Sequence, residues 1–207
     1  MNGRQTCLNA SYFCTMQADT SVRDQIIATA TRLFLSQGYN QTGINQIIEE
    51  AKVAKASLYY HFPSKEDLGV AYIKRRSESW YAGLNKFLEG VWEAKERLIK
   101  VFEYRALFVQ QNNFSGCSYT RIIAELPQRG TKIHNQAVAN KEMQRRFFQE
   151  LVREIDSIAE DRKANLANTV FLLFDGATMQ CQVYQETAPM ELARNAVVEL
   201  LAWSHRQ

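Results

Sequence analysis

The chain has 207 residues, 46% of them hydrophobic and 23% charged, so it is long enough to bury a sizeable core and too apolar to remain disordered. Nine glycines and three prolines are too few to punctuate a sheet protein, which favours an all-α chain, and no apolar run reaches the length of a membrane span. The formal net charge of +3 is unevenly placed: residues 1–18 carry Arg4 alone, residues 19–76 carry eight Lys/Arg against six Asp/Glu, and residues 77–207 are balanced. Such an excess is a faint footprint for a polyanion and decides nothing alone. Cys7, Cys14, Cys117 and Cys181 show no C-x-x-C spacing and no histidine at ligand distance. No metal and no cofactor is therefore expected, and the thiols read as reduced in a cytoplasmic protein.

Residues 1–20 are polar and aperiodic and lack the basic start and apolar stretch of a signal peptide. They are expected to form a disordered tail, with Met16 as an alternative start. From Ser21, the apolar residues Val22, Ile26, Ile27, Ala30, Leu33 and Phe34 recur at three- and four-residue steps, and Gly38 ends the run as a helix-terminating glycine. A short second helix begins after Thr42 with Ile44, Ile47, Ile48 and Ala51 on one side. Lys52-Val53-Ala54 makes a tight turn, and Lys55 to Phe62 forms a third short helix with Leu58 and Phe62 inward, halted by Pro63. Ser64 followed by Asp67 is an N-cap signal for a long fourth helix. Two short helices joined by a three-residue turn present one helix to the DNA major groove. Residues 21–66 thus read as a helix-turn-helix DNA-binding domain.

Residues 67–207 read as a larger helical domain for effector binding and dimerisation. Leu68, Tyr72, Ile73, Trp80, Leu84, Phe87, Leu88 and Val91 carry the fourth helix far past the head. Further helices are expected over about 93–111, 119–126 and 131–158, the last with Phe147, Leu151, Ile155 and Ile158 inward. After a charged turn at 160–163, Leu166, Val170, Leu173, Ala177, Cys181 and Tyr184 make a stripe, and Pro189 opens the last helix. Ala167, Phe171, Phe174 and Met179 lie off that stripe, so the closing pair, about residues 163–206, is expected to be shared in a homodimer.

The ordered run from Ile26 to Leu68, I-I-x-x-A-x-x-L-F-x-x-Q-G-Y-x-x-T-G-I-x-x-I-I-x-x-A-K-V-x-K-A-S-L-Y-Y-H-F-P-S-K-E-D-L, resembles the TetR (tetracycline-repressor-like) transcriptional regulators. Beyond Ser77 the likeness is architectural, with a late L-x-x-D-G-A stretch from Leu172 to Ala177. The resemblance implies an all-α homodimer that binds a double-stranded operator and is released by a small molecule in its C-terminal domain. It implies that Lys55, Ala56, Ser57 and Tyr59 face base edges or the adjoining backbone, and that Tyr60, His61 and Lys65 contact phosphate. Thr42, Gly43 and Asn45 would meet the sugar-phosphate strand from the start of the second helix. Lys52, Ala54 and Ile48 depart from the family's usual glycine, Ser/Asp and alanine. Lys52 is therefore expected in a left-handed conformation, and the third helix lacks a side-chain cap.

Phe102, Phe108, Cys117, Tyr119, His134, Phe147, Phe171 and Phe174 are the candidate lining of an effector pocket, suited to a largely apolar small molecule with one or two polar groups. Gly116-Cys117 is similar to an element of family members that sense electrophiles, which makes an α-helical redox or electrophile sensor acting through Cys117 one alternative. A helical protein-interaction module without DNA binding is another. No nucleophile, base and orienting group stand at recognisable spacing, so no catalytic residue is expected.

Overall fold

A computed structural model describes residues 21–126 and 128–203, among which are nine α-helices and no strand. The tail expected at residues 1–20 and the end of the expected dimer segment lie outside the described residues. α1 (Val22–Gln37), α2 (Ile44–Ala51) and α3 (Lys55–His61) form the head, and α4 (Lys65–Phe87) leaves it as a rod of about 34 Å at 1.5 Å per residue. α4 starts because the Ser64 hydroxyl accepts the Asp67 N–H at 3.1 Å and donates to the Asp67 carboxylate at 2.7 Å. Lys132 at 2.9 Å and the Ser64 bond together hold that carboxyl below its usual range.

The turn between α2 and α3 has the strained form that its lysine implies. Lys52 sits at φ 52° and ψ 43°, and the Val53 N–H reaches back to the Ile48 carbonyl at 3.2 Å, closing α2 in a Schellman arrangement. An L-residue in this region carries a Cβ clash that glycine avoids, at about 1 kcal/mol. Lys52→Gly is accordingly expected to raise the melting temperature by about 2–4 °C, the shift that corresponds to about 1 kcal/mol in a chain of this size. An unchanged or lower value with an intact circular dichroism spectrum would show that the strain is relieved elsewhere.

The head does not close its own core. Ile26, Ile47, Leu58, Leu68 and Ile73 are fully buried in one cluster, and the same cluster includes Tyr119 and Ile122 from α6 (Ser118–Glu125) and Ile133 and Ala137 from α7 (Lys132–Arg153). About 45 residues bury too little surface to be strongly stable alone, and α6 with the start of α7 provides the missing partner. The second cluster is built from the far half of α4, α5 (Ala94–Gln111), the rest of α7, α8 (Glu160–Tyr184) and α9 (Ala188–Trp203), around Trp80, Phe102, Phe148 and Phe174.

Four expectations for the C-terminal half are corrected. α4 stops at Phe87, because Gly90 turns the chain at φ +79° and leaves Val91 in the connection. α7 stops at Arg153, and Ile155 and Ile158 are buried from a turn whose spacing imitates a helical stripe. The charged run at 160–163 is not a turn but the first turn of α8, where Glu160 and Asp161 complement the helix dipole. Phe148, not Phe147, is the fully buried ring, while Ala167 and Phe174 enter the core and Tyr184 faces out.

Candidate nucleic-acid interface and buried polar site

The head's inner contacts fix which side of α3 is free. Leu58 and Phe62 pack inward, Arg23 of α1 lies 5.4 Å over the Phe62 ring, and the Gln25 side chain donates to the Ala51 carbonyl at 2.8 Å to hold the end of α2. Arg32 pairs with Glu50, tying the outer side of α2 to α1. What remains exposed on α3 is Lys55, Ala56, Tyr59 and Tyr60, with Ser57 and His61 half-buried at its flanks. Tyr60 is 83% exposed and touches the His61 ring edge-on at 5.0 Å. Neither α2 nor α3 has a side-chain cap, so both present free N–H groups at the ends flanking this surface.

Gly43 and Asn45 are exposed beside it, and a Cβ on Gly43 would meet nothing of this chain within 4 Å. Thr42 corrects the expectation of a strand contact through its hydroxyl. It is fully buried, donates to the Gly38 carbonyl at 2.7 Å and accepts from the Gln37 amide at 3.1 Å, so it braces the α1–α2 connection. Lys65 is also more engaged than a solvated charge. Its ammonium lies 4.4 Å over the Tyr39 ring, and burial lowers its pKa while Glu125 opposes that effect.

α6 grips the head from the other side. The Asn40 N–H donates to the Glu125 carboxylate at 2.7 Å, the Asn40 amide donates to the Glu125 carbonyl at 2.8 Å, and Arg121 donates to the Leu35 carbonyl at 2.9 Å. Charge-assisted bonds to backbone groups are among the stronger ones available to a protein surface. Lys132 to Asp67 at 2.9 Å, and the Ile133 N–H to Glu66 at 3.3 Å, add the start of α7 to the same clamp. A displacement of α6 would therefore reach Leu35 and Asn40 directly.

The other end of α6 meets a buried polar site. Phe108, Cys117 and Tyr119 come together around a cavity of about 20 Å³, with Arg76, Arg105 and Gln144 in its wall. The other candidate pocket residues are elsewhere. Phe102, Phe148, Phe171 and Phe174 stack on one another as solid core, with ring centroids 5.0–6.3 Å apart. Phe147 faces an outer groove of about 440 Å³ between α4 and α7, and His134 lies half-buried in the first turn of α7. The eight residues thus do not line one cavity.

Arg76 and Arg105, absent from the sequence-based candidates, are the residues that distinguish this site. They are 8% and 5% exposed. Arg76 donates to Ser118 at 3.2 Å and to Asn112 at 2.8 Å, and Arg105 donates to Thr178 at 3.1 Å. The Arg105 guanidinium lies 5.1–5.5 Å from the Trp80, Phe108 and Phe174 rings, and Arg76 lies 5.0 Å from Phe108. Burial pulls both pKa values below the usual guanidinium value, yet a guanidinium holds its proton at any ordinary pH. Both sit on apolar stripes, Arg76 between Tyr72 and Trp80 and Arg105 between Val101 and Phe108. A cation interrupting a stripe was the signal that would have found them.

A two-helix reading head held from behind by a helical control domain defines a DNA-binding regulator. Residues 26–72 match the family described as "Bacterial regulatory proteins, tetR family", and residues 95–196 match "Transcriptional regulator LmrA/YxaF-like, C-terminal domain". The chain is similar to the HTH-type transcriptional repressor NemR of Escherichia coli, 24% identical over 189 residues that cover 87% of this chain and 94% of NemR. It is 51% identical over 57 residues to the HTH-type transcriptional regulator LmrA of Bacillus subtilis, covering 27% of this chain and 30% of LmrA. Its fold is similar to that of a TetR-family transcriptional regulator from Streptomyces coelicolor, with a TM-score of 0.81, 24% identity and coverage of 89% and 96% of the two chains. The chain belongs to the TetR family of transcriptional regulators. Among the described residues, no helix is long and apolar enough to cross a membrane.

Proposed function

We propose that this regulator is a repressor that binds a palindromic operator as a homodimer and leaves it when a small molecule occupies the C-terminal domain. The observation that carries the reading is the free side of α3. Lys55, Ala56, Tyr59 and Tyr60 are exposed on it, and both α2 and α3 begin without a side-chain cap. In this reading Lys55 and Ser57 reach base edges or phosphate, and Tyr59, Tyr60 and His61 contact the adjoining backbone. Gly43, open on its outer side, lets the strand approach the start of α2, and Asn45 donates beside it. Lys65 supports the head through Tyr39 and offers the phosphate chiefly the start of α4.

An exposed apolar strip on α8 supports dimerisation through the last two helices. Leu172, Met179 and Val183 are exposed at helical spacing, and Gly176 between them would meet nothing within 4 Å through a Cβ. Leu192 and Val198 of α9 are exposed as well. A second copy laid across this strip places two heads on one duplex, where half-sites about one turn, roughly 34 Å, apart can be read together. The clamp from α6 to Leu35 and Asn40 supplies the path by which occupancy of the C-terminal domain changes head spacing. A repressor is favoured over an activator by the likeness to NemR across nearly its full length.

The test is a mobility-shift titration of the purified chain against the DNA upstream of its own coding sequence, at low salt and without ligand. A discrete shifted complex is expected, competed by the same duplex and not by unrelated DNA. Failure to shift that duplex better than unrelated DNA would contradict the reading.

A further inference from the structure

Two guanidiniums share one small buried site without a carboxylate. Among the described residues, neither Arg76 nor Arg105 meets a carboxylate within ion-pair distance; of the groups that favour the Arg105 charge, Cys117 acts most strongly from the cavity wall, and Asp175 acts from farther away and is engaged by Lys141. Arg76 also raises the cost of the Arg105 charge. Buried charges are as a rule paired, because the loss of water is otherwise uncompensated. Here the partial compensation comes from aromatic faces and neutral hydroxyl and amide oxygens.

A second observation is independent of charge. Gln144 of α7, only 5% exposed, borders the same cavity with its Oε1 carbonyl lacking any hydrogen-bond partner. An acceptor with nothing to accept from, next to two guanidiniums with no carboxylate, describes a site lacking a group that brings both negative charge and a proton to donate. The cavity of about 20 Å³ has room for roughly one water-sized group, hence for the head of a ligand and not its body.

The wall where a body would enter is the link between α5 and α6. Asn113 and Phe114 are held in left-handed backbone at φ 51° and 50°, and Gly116 follows at φ +76° with the Gln182 amide against it. On the outer side of this link runs a groove of about 820 Å³, and Arg76 borders both the groove and the inner cavity.

We infer that Arg76 and Arg105 form the binding site for the carboxylate of a hydroxylated aromatic acid, whose hydroxyl donates to Gln144 and whose ring takes the place of the 113–116 link toward the outer groove. Resting on the proposed function, this acid is the effector. Its carboxylate removes the repulsion between the guanidiniums, and its ring displaces the 113–116 link and with it the start of α6. Because Arg76 holds Ser118 at one end of α6 and Arg121 and Glu125 hold the head from the rest of it, the movement is delivered to Leu35 and Asn40. The largely apolar effector with one or two polar groups expected from the aromatic residues is narrowed to one whose polar group is an anion.

The experiment uses the full chain and four probes at matched ionic strength: salicylate, 2-hydroxyphenylacetate, and the neutral amide of each. Thermal unfolding and calorimetric titration are expected to show binding of at least one acid and at least about tenfold weaker binding of its amide, the loss that follows from removing a charged hydrogen-bonded pair. Arg105→Met is expected to weaken the acid by a similar factor, with Arg105→Lys retaining part of it. The acid-to-amide comparison on the unaltered chain stands even where the methionine variant does not fold. Binding of neither acid, or equal binding of acid and amide, overturns the site. Adding the acid to the preformed complex with upstream DNA is expected to release the duplex. Binding without release overturns the effector role alone, whereas a chain that never binds its upstream DNA overturns the proposed function and leaves the acid-binding result to be judged separately.

Discussion

Replacing Tyr60 with alanine is expected to reduce affinity for the upstream duplex by about tenfold or more while leaving the melting temperature within the range of an ordinary surface change. Tyr60 is 83% exposed and its ring meets His61 edge-on, so its removal opens no cavity among the described residues. If it lies on the sugar-phosphate backbone, it supplies both apolar area and a hydroxyl donor, and the lost contact is worth about 1–3 kcal/mol. Lys55→Ala, at the open start of the same helix, is expected to lower site preference in addition. Fluorescence anisotropy on labelled duplex, paired with thermal unfolding, separates the two quantities. Unchanged affinity in both variants would move the DNA surface off α3.

Phe174→Ala is expected to destabilise the protein by about 3–5 kcal/mol, a large share of the roughly 5–15 kcal/mol that holds a typical domain together. Phe174 is 1% exposed and stands at the crossing of α5, α7 and α8. Its ring meets Phe102 at 5.6 Å and 86°, Phe148 at 5.0 Å and Trp80 at 5.9 Å, and one face lies 5.5 Å from the Arg105 guanidinium. Truncation therefore leaves a cavity among packed rings, and it removes one of the three aromatic faces that offset a buried charge. Phe174→Leu keeps most of the volume and is expected to cost much less. Equilibrium urea unfolding of both variants measures this directly; a loss below about 1 kcal/mol for alanine would mean that the core collapses around the site.

The head was legible in the sequence because its determinants are local. Ile26, Ala30, Leu33 and Phe34 mark α1 by spacing, Ser64 and Asp67 mark the start of α4, and Lys52 in the turn position foretells the left-handed backbone found there. What was not legible depends on contacts far apart in the chain. Nothing near Asn40 indicates that Glu125, 85 residues later, will accept from its N–H, and nothing near Gly69 indicates that Ile133 will pack against it. The stop of α7 at Arg153 was hidden because Ile155 and Ile158 continue a three-residue rhythm from a turn. The polar site was missed for a different reason. Aromatic residues at helical spacing suit a pocket and a core equally, and most of these are core, whereas arginine on a helix ordinarily means a solvated face. Arg76 and Arg105 on apolar stripes, with Asn140 and Gln144 on the buried side of α7, carried that information.

The most direct test of a dimeric DNA-binding head is the salt dependence of binding to the upstream duplex, with stoichiometry measured in the same titration. Two chains per duplex are expected, with affinity falling as a steep power of salt concentration, because each phosphate neutralised releases bound counterions. Several phosphate contacts per head correspond to a loss of about a thousandfold or more between 50 and 200 mM salt. Binding that is flat across this range, or that saturates at one chain per duplex, would contradict the assignment of α3 and its neighbouring helix ends as a paired DNA-reading surface.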